Sequence, residues 1–273
     1  MRGHQLLEPL LMRPLEEGEK QLLPRRWQIL GDLVLVNIPA EIEHLKHDIG
    51  EALLVVYPRC KSVLWDKGVR GKLRKPDIEV IAGSKTNTIH KENYCKFALD
   101  ASRVMFSAGN FAERARMSEV GCSEKVLDMF SGIGQLCIPM AVHAHPQSIC
   151  AIELNSVAYG YLKQNITLND IDDIVHPILG NCAYVTPEEQ FDRVIMGHFD
   201  AFDYLQTALQ ALVPGGVMHY HEIVPLELMR ERPRAHVAQA ARALNRSTEL
   251  LGVRKVKDYA PGIAHVVVDA TIN

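Results

Sequence analysis

The alternation of apolar and polar positions divides the chain into two differently built parts. In the later part, short apolar runs alternate with longer stretches of helical period, as expected of a doubly wound parallel sheet. Strands are expected at residues 126–129, 148–152, 174–179, 193–196 and 216–221. Helical patterns fall between them at 135–142, 156–168 and 204–212, with another at 112–120 before the first strand and one at 235–248 after the last. Two further strands, 252–259 and 264–270, meet at Pro261-Gly262 and can close the sheet as an antiparallel pair. The earlier part is less regular. Residues 32–38 and 53–57 read as strands around a helical stretch at 41–49. Strands at 78–82, 86–91 and 94–99 follow, the last two turning as a hairpin at Glu92-Asn93. Residues 1–26 have no settled period and are expected as a weakly ordered or peripheral lead-in. The resulting division is a lead-in over 1–29, a small mixed α/β domain over 30–100 and a Rossmann-like domain over 101–273.

Composition narrows the class. A chain of 273 residues that is 47% hydrophobic has material for a sizeable core, and no apolar run approaches the ~18 residues of a membrane span. The first residues lack the apolar heart of a signal peptide, because Glu16, Glu17, Glu19 and Lys20 interrupt them. Six cysteines (60, 95, 122, 137, 150 and 182) lie far apart without a C-x-x-C pair. That spacing reads as reduced thiols in a cytoplasm, with neither a disulfide frame nor a zinc site. The net charge of −3 argues against general nucleic-acid affinity but leaves room for a local basic surface. One stretch offers it: residues 61–75 carry Lys61, Lys67, Arg70, Lys72, Arg74 and Lys75 against the single acid Asp66. Gly68, Gly71 and Pro76 mark that stretch as a loop, either a solvated surface or a nucleic-acid contact.

The chemistry gathers around Val126-Leu-Asp-Met-Phe-Ser-Gly-Ile-Gly134. A strand feeding a glycine turn into a helix start brings backbone N–H groups and the positive helix end up to a ligand. Gly132 and Gly134 are present, but Cys137 stands where a third glycine would complete the dinucleotide pattern. A nicotinamide is therefore disfavoured. With Asp128 just before the turn, S-adenosylmethionine, which has no pyrophosphate to cradle, fits better. Glu153 closes the second strand 21 positions after Gly132, where a carboxylate reaches the two ribose hydroxyls. Asn181, after the third strand, is placed to accept a hydrogen bond from an adenine amino group. His198, in Met196-Gly-His-Phe199 after the fourth strand, stands over the switch point and could position a base or take a proton. His219-Tyr-His-Glu222 puts two histidines on one strand face, but with no third ligand nearby it reads as packing and hydrogen bonding. Asn110 and Glu113 read as the N-cap and N3 acid of the helix that precedes the sheet.

Several motifs together resemble the archaeal branch of the tRNA wybutosine-synthesizing protein 2 family. They are Ile89-His-Lys-Glu92, Phe106-Ser107 with Glu113-Arg114, the 128–134 turn, Ala151-Ile-Glu-Leu-Asn155, Met196-Gly-His198, His219-Tyr-His-Glu222, Tyr259-Ala-Pro-Gly262 and His265-Val-Val-Val-Asp269. The likeness spans about residues 30–273. Related tRNA guanine-N1 methyltransferases carry an arginine at Gly109, and Asn-Pro-Pro or Asn-Leu-Pro at Gly197-His198-Phe199; both departures favour the wybutosine branch. The resemblance implies a class I S-adenosylmethionine-dependent transferase that moves the 3-amino-3-carboxypropyl group to C7 of 4-demethylwyosine at position 37 of tRNA-Phe, in the anticodon loop. Methylthioadenosine would be released. By motif position it implies that Ser107, Arg114, Asp128, Gly132, Gly134, Glu153, Asn181 and the Cys182 backbone hold the cofactor. Glu113 takes the general-base position of the relatives, and Glu113 and His198 are the candidate catalytic pair. For tRNA, Lys61, Arg70, Lys72, Arg74 and Lys75 are the candidate contacts, with Arg230, Arg232, Arg234, Arg254, Lys255 and Lys257 as a second basic set. No metal and no obligate protein partner is expected. The alternative is guanine-N1 methylation at the same nucleotide; a tRNA-binding module without chemistry is a third reading.

Overall fold

A computed structural model describes residues 6–71, 75–188 and 190–273. The chain forms two compact units, Met1–Ala108 and Gly109–Asn273.

The first unit is built on a four-stranded sheet in spatial order β1-β2-β3-β4: Trp27–Leu30, Leu33–Val36, Ser62–Arg70 and Lys75–Gly83. β2 and β3 run parallel, joined through helix α2 (Lys46–Val56), and the outer pairings are antiparallel. A separate hairpin pairs β5 (Asn87–Glu92) with β6 (Cys95–Asp100). Its turn is Asn93-Tyr94, both at positive φ, one residue past the expected position.

Three expectations fail in this unit. The 53–57 segment is the last turn of α2, not a strand. Ile49, Gly50, Ala52 and Leu53 line its buried face, and a short apolar run alone cannot separate the two periods. Within the basic stretch expected as a loop, Ser62–Arg70 is strand β3 and Lys75 opens β4. Ser62 to Trp65 are buried in β3, and Gly68 marks a register shift opposite β4, where its N–H donates to Asp66 Oδ1 (2.9 Å). The peripheral lead-in supplies core residues: Leu7 and Leu23 are 0% and 2% exposed beside Val34, Leu53 and Val63. Helix α1 (Glu17–Leu22) enters that region through a reciprocal capping box between Glu16 and Glu19.

The second unit is the expected doubly wound sheet. Its strands are β7 (Lys125–Asp128), β8 (Ser148–Glu153), β9 (Val175–Leu179), β10 (Phe191–Met196), β11 (Leu212–Pro225), β12 (Thr248–Ala260) and β13 (Ile263–Ile272). Their spatial order is β12-β13-β11-β10-β7-β8-β9, and β13 runs against both neighbours. The helices are α3 (Phe111–Met117), α4 (Cys137–Ala144), α5 (Ser156–Leu168), α6 (Cys182–Val185), α7 (Leu205–Ala211) and α8 (Arg232–Ala243). α5 starts where Asn155 accepts the Val157 N–H (3.0 Å), so cap chemistry and the apolar stripe agree on its first residue. Leu127, Met129, Ile152, Val194, Met218 and Val268 fill the core from neighbouring strands. Chain order reverses beside β7, which has β8 on one side and β10 on the other. Ligands of such sheets bind at that switch point, beyond the strands' carboxyl ends.

Candidate active site

The turn after β7 is pinned from three sides. Ser131 N–H donates to the Ile152 carbonyl (2.9 Å), Gly134 N–H to the Ser131 carbonyl (2.8 Å), and Asn165 of α5 to the Ile133 carbonyl (3.0 Å). The two glycines do different work. At Gly134 (φ +96°) a Cβ would lie 2.3 Å from Ile138 Cδ1, so its hydrogen is needed for packing. At Gly132 (φ +57°) a Cβ would meet nothing within 4 Å, which leaves the outer side of the turn open. That is the observation required of a cradle for S-adenosylmethionine.

Glu153, at the end of β8, reaches that turn. Its Oε2 accepts the Gly132 N–H and its Oε1 the Asn155 N–H, both at 2.7 Å. Burial pushes its carboxyl pKa upward. Each oxygen retains a lone pair, so it can still receive ribose hydroxyls. Asp128 is 1% exposed; Oδ1 accepts the Phe130 N–H (3.2 Å), while Oδ2 is buried without a partner. Burial pushes its pKa up to about 7. Asn181 Oδ1 caps α6 by accepting the Ala183 N–H (3.0 Å), which engages one acceptor position of the proposed adenine partner. Cys182 follows, buried, its thiol pushed up to about 11 by burial. Arg114 is buried at 1% exposure in the same unit, whereas Ser107 belongs to the first unit.

Past β10, the His198 ring stacks on Phe130 (5.4 Å between centroids, 28° between planes). Its Nδ1 accepts the Asp200 N–H (3.1 Å), which fixes the ring beside Phe130. Glu113 departs from its expected local role. The capping box does not form; Asn110 occupies the N-cap without a side-chain bond, and Glu113 turns to Arg116 instead. An arginine one turn along the helix outcompetes a backbone N–H for a carboxylate. Arg116 also donates to Asp269 Oδ2 (3.0 Å), which accepts from Arg254 as well. His219 lies opposite Asp269 and bonds it through Nδ1 (2.6 Å). His219 is thus held by a hydrogen bond, and no cluster of three or more candidate metal ligands occurs among the described residues.

Sequence reading missed Asn165, Arg116 and the role of Asp269. Asn165 was the most findable, as a polar residue in the buried stripe Ala158, Leu162, Asn165, Ile166. Asp269 ends an apolar strand run, which is also a signal. Arg116 carries none.

Of the candidate tRNA contacts, Lys72 and Arg74 lie outside the described residues. Arg70 and Lys75 are paired positions at one end of the β3–β4 ribbon. Lys61 precedes the other end of β3, about 30 Å away along an extended strand. Arg70 is paired with Asp77, and Lys67 with Glu79 at 2.6 Å. In the second basic set, Arg232 is tied to Glu222, Arg254 to Asp269 and Lys255 to Asp258.

The TRM5/TYW2 methyltransferase domain matches residues 88–251, and the TYW2 N-terminal domain matches residues 7–86. The chain belongs to the TRM5/TYW2 family. It is 36% identical to the tRNA(Phe) (4-demethylwyosine(37)-C(7)) aminocarboxypropyltransferase of Pyrococcus horikoshii, over 97% of this chain and 96% of that protein. The crystal structure of P. horikoshii TYW2 in complex with MeSAdo superposes with a TM-score of 0.86 at 34% identity, covering 98% of both chains. Methanocaldococcus jannaschii TYW2 in complex with AdoMet gives 0.75 at 35% identity, over 91% of this chain and 99% of that one.

Proposed function

We propose that this TRM5/TYW2 family member transfers the 3-amino-3-carboxypropyl group of S-adenosylmethionine to C7 of 4-demethylwyosine at position 37 of tRNA-Phe. The observation that carries this reading is the end-to-end match to the P. horikoshii aminocarboxypropyltransferase. The donor supplies a sulfonium whose three carbons are all electrophilic, so the carbon aimed in line with the nucleophile decides which group moves.

The residues divide that task. Glu153 takes the ribose hydroxyls, Gly132 lets the nucleoside approach the turn, Gly134 lets the turn pack against Ile138, and Asn181 and the Cys182 backbone border the adenine. Ser107 and Arg114 hold the end of the donor near the reacting carbon. His198 and Glu113 orient the target base. Glu113, with both oxygens bonded to Arg116, is better fitted to orient than to abstract a proton. Lys61, Arg70, Lys72, Arg74 and Lys75 are the proposed tRNA contacts, and the anticodon loop is the proposed point of reaction. An unpaired loop base needs little extrusion. No described helix is long and apolar enough to cross a membrane, and the scattered thiols are consistent with a cytoplasmic setting.

Nucleoside analysis of tRNA-Phe after reaction tests this. Tricyclic precursor tRNA should gain the aminocarboxypropyl group on the base, and tRNA with unmodified guanosine 37 should gain nothing. A methylguanosine in the second tRNA would contradict it.

A further inference from the structure

α3 rests on the sheet through charged and histidine side chains. Arg116 spans two carboxylates, with Nε and Nη2 on Glu113 (3.0 and 2.5 Å) and Nη1 on Asp269 (3.0 Å). Behind Asp269, His219 is held in one tautomer. The Arg193 guanidinium can only donate, so His219 Nε2 (2.6 Å away) accepts and Nδ1–H points to Asp269. Arg193 is in turn held by both oxygens of Glu124 (2.6 and 2.9 Å). This side of Glu113 is complete.

The other side is not. His221 is 1% exposed, and its Nε2 has no hydrogen-bond partner, yet it lies 3.5 Å from Glu113 Oε1. Its Nδ1 is 2.9 Å from Nε2 of His265 on β13. His265 meets the Phe199 ring edge-on at 4.6 Å, and Phe199 meets Tyr259 at 5.5 Å. Tyr259 is 46% exposed. Phe199 belongs to the segment after β10, over the switch point. A carboxylate can only accept, so the consistent arrangement is His265 Nε2–H to His221 Nδ1 and His221 Nε2–H towards Glu113. The gap from His221 to Glu113 is a small shift short of a hydrogen bond.

We propose that His221 and His265 are positioning residues that couple the Glu113 carboxylate to the Phe199–Tyr259 aromatic wall, where the planar target base stacks. The inference rests on the reading of Glu113 as an orienting group in the transfer. Stacking of the base on the wall moves His265, and the shift closes the His221–Glu113 gap, so the carboxylate held by Arg116 gains its His221 partner only when a base is present.

The test is a double-mutant cycle read as the rate of spent-cofactor release from S-adenosylmethionine and precursor tRNA-Phe. His221→Asn should lower kcat by about tenfold to a hundredfold, with KM for tRNA nearly unchanged. In a Glu113→Gln background the same change should cost nothing more. His265→Gln, which keeps a donor near the Nε2 position, should retain most activity, and His265→Leu should match His221→Asn. Equal losses in both Glu113 backgrounds, or full activity of His221→Asn, would overturn the proposal. A Glu113→Gln enzyme with unchanged kcat would remove the reading on which it rests, and the proposal with it. Identification of the released nucleoside separates either result from a failure of the transfer reaction itself.

Discussion

At the scale of single residues, the two glycines of the cofactor turn separate binding from stability. Gly132→Ala puts a methyl into open space at φ +57°, a left-handed cost of about 1 kcal/mol. It should keep the fold and lose S-adenosylmethionine affinity, because the methyl occupies the side from which the nucleoside approaches. Gly134→Ala drives its methyl into Ile138 and Leu162 at φ +96° and should destabilise by roughly 2–3 kcal/mol. Calorimetric titration beside thermal melts checks both; tight cofactor binding by Gly132→Ala would remove that residue from the site. The pairing of Glu153 with the Gly132 turn was legible in the sequence because spacing along one strand–turn–helix–strand unit fixes it. Asn165 and Arg116 were not, since what they do is set by a second element that local pattern does not specify.

At the scale of elements, Arg246 ties the end of α7 to the last strand. Its guanidinium donates to the carbonyls of Leu209, Leu212, Val213 and Ile272 at 2.5, 2.9, 3.0 and 3.1 Å. Removing it leaves four acceptors short of a partner, so Arg246→Ala should cost about 2–4 kcal/mol, read as a lower urea midpoint with catalysis per folded molecule unchanged. Arg246→Lys should recover only a small part, because an ammonium cannot reproduce the fork. A midpoint equal to the parent's would refute this role. Legibility also varied by element. The inner parallel strands and α5 were readable because each is bounded by turns or caps and sets an apolar run or stripe into the core. β3 was hidden by its charges, for Lys67 and Arg70 lie on the exposed end of a strand whose other end, Ser62 to Trp65, is core. The 53–57 segment shows the limit of a short apolar run, since four consecutive apolar residues satisfy a helix and a strand alike.

At the scale of the whole molecule, two buried titrating groups pull stability in opposite directions with pH. Burial lowers His221 from 6.5 to about 3. Between those values the unfolded chain binds a proton that the folded chain refuses, so stability falls as pH drops through the window. Burial raises Asp128 from 3.8 to about 7. Between those values the folded chain keeps a proton that the unfolded chain releases, so stability rises as pH drops. From pH 7.5 to 5 the two amount to about 2 kcal/mol lost and about 3 kcal/mol gained. In the cofactor-free protein Asp128→Asn should therefore make acidification more costly than in the parent, and His221→Asn less costly, by urea unfolding at the two pH values. Parallel pH dependences in all three would contradict this account. The central claim, however, concerns which carbon of the donor is attacked. Purified protein, S-adenosylmethionine and tRNA-Phe carrying the tricyclic precursor, with the spent cofactor identified by mass spectrometry, decide it most directly. The account predicts methylthioadenosine, formed in step with alkylation of the base. S-adenosylhomocysteine would mean methyl transfer and would contradict it.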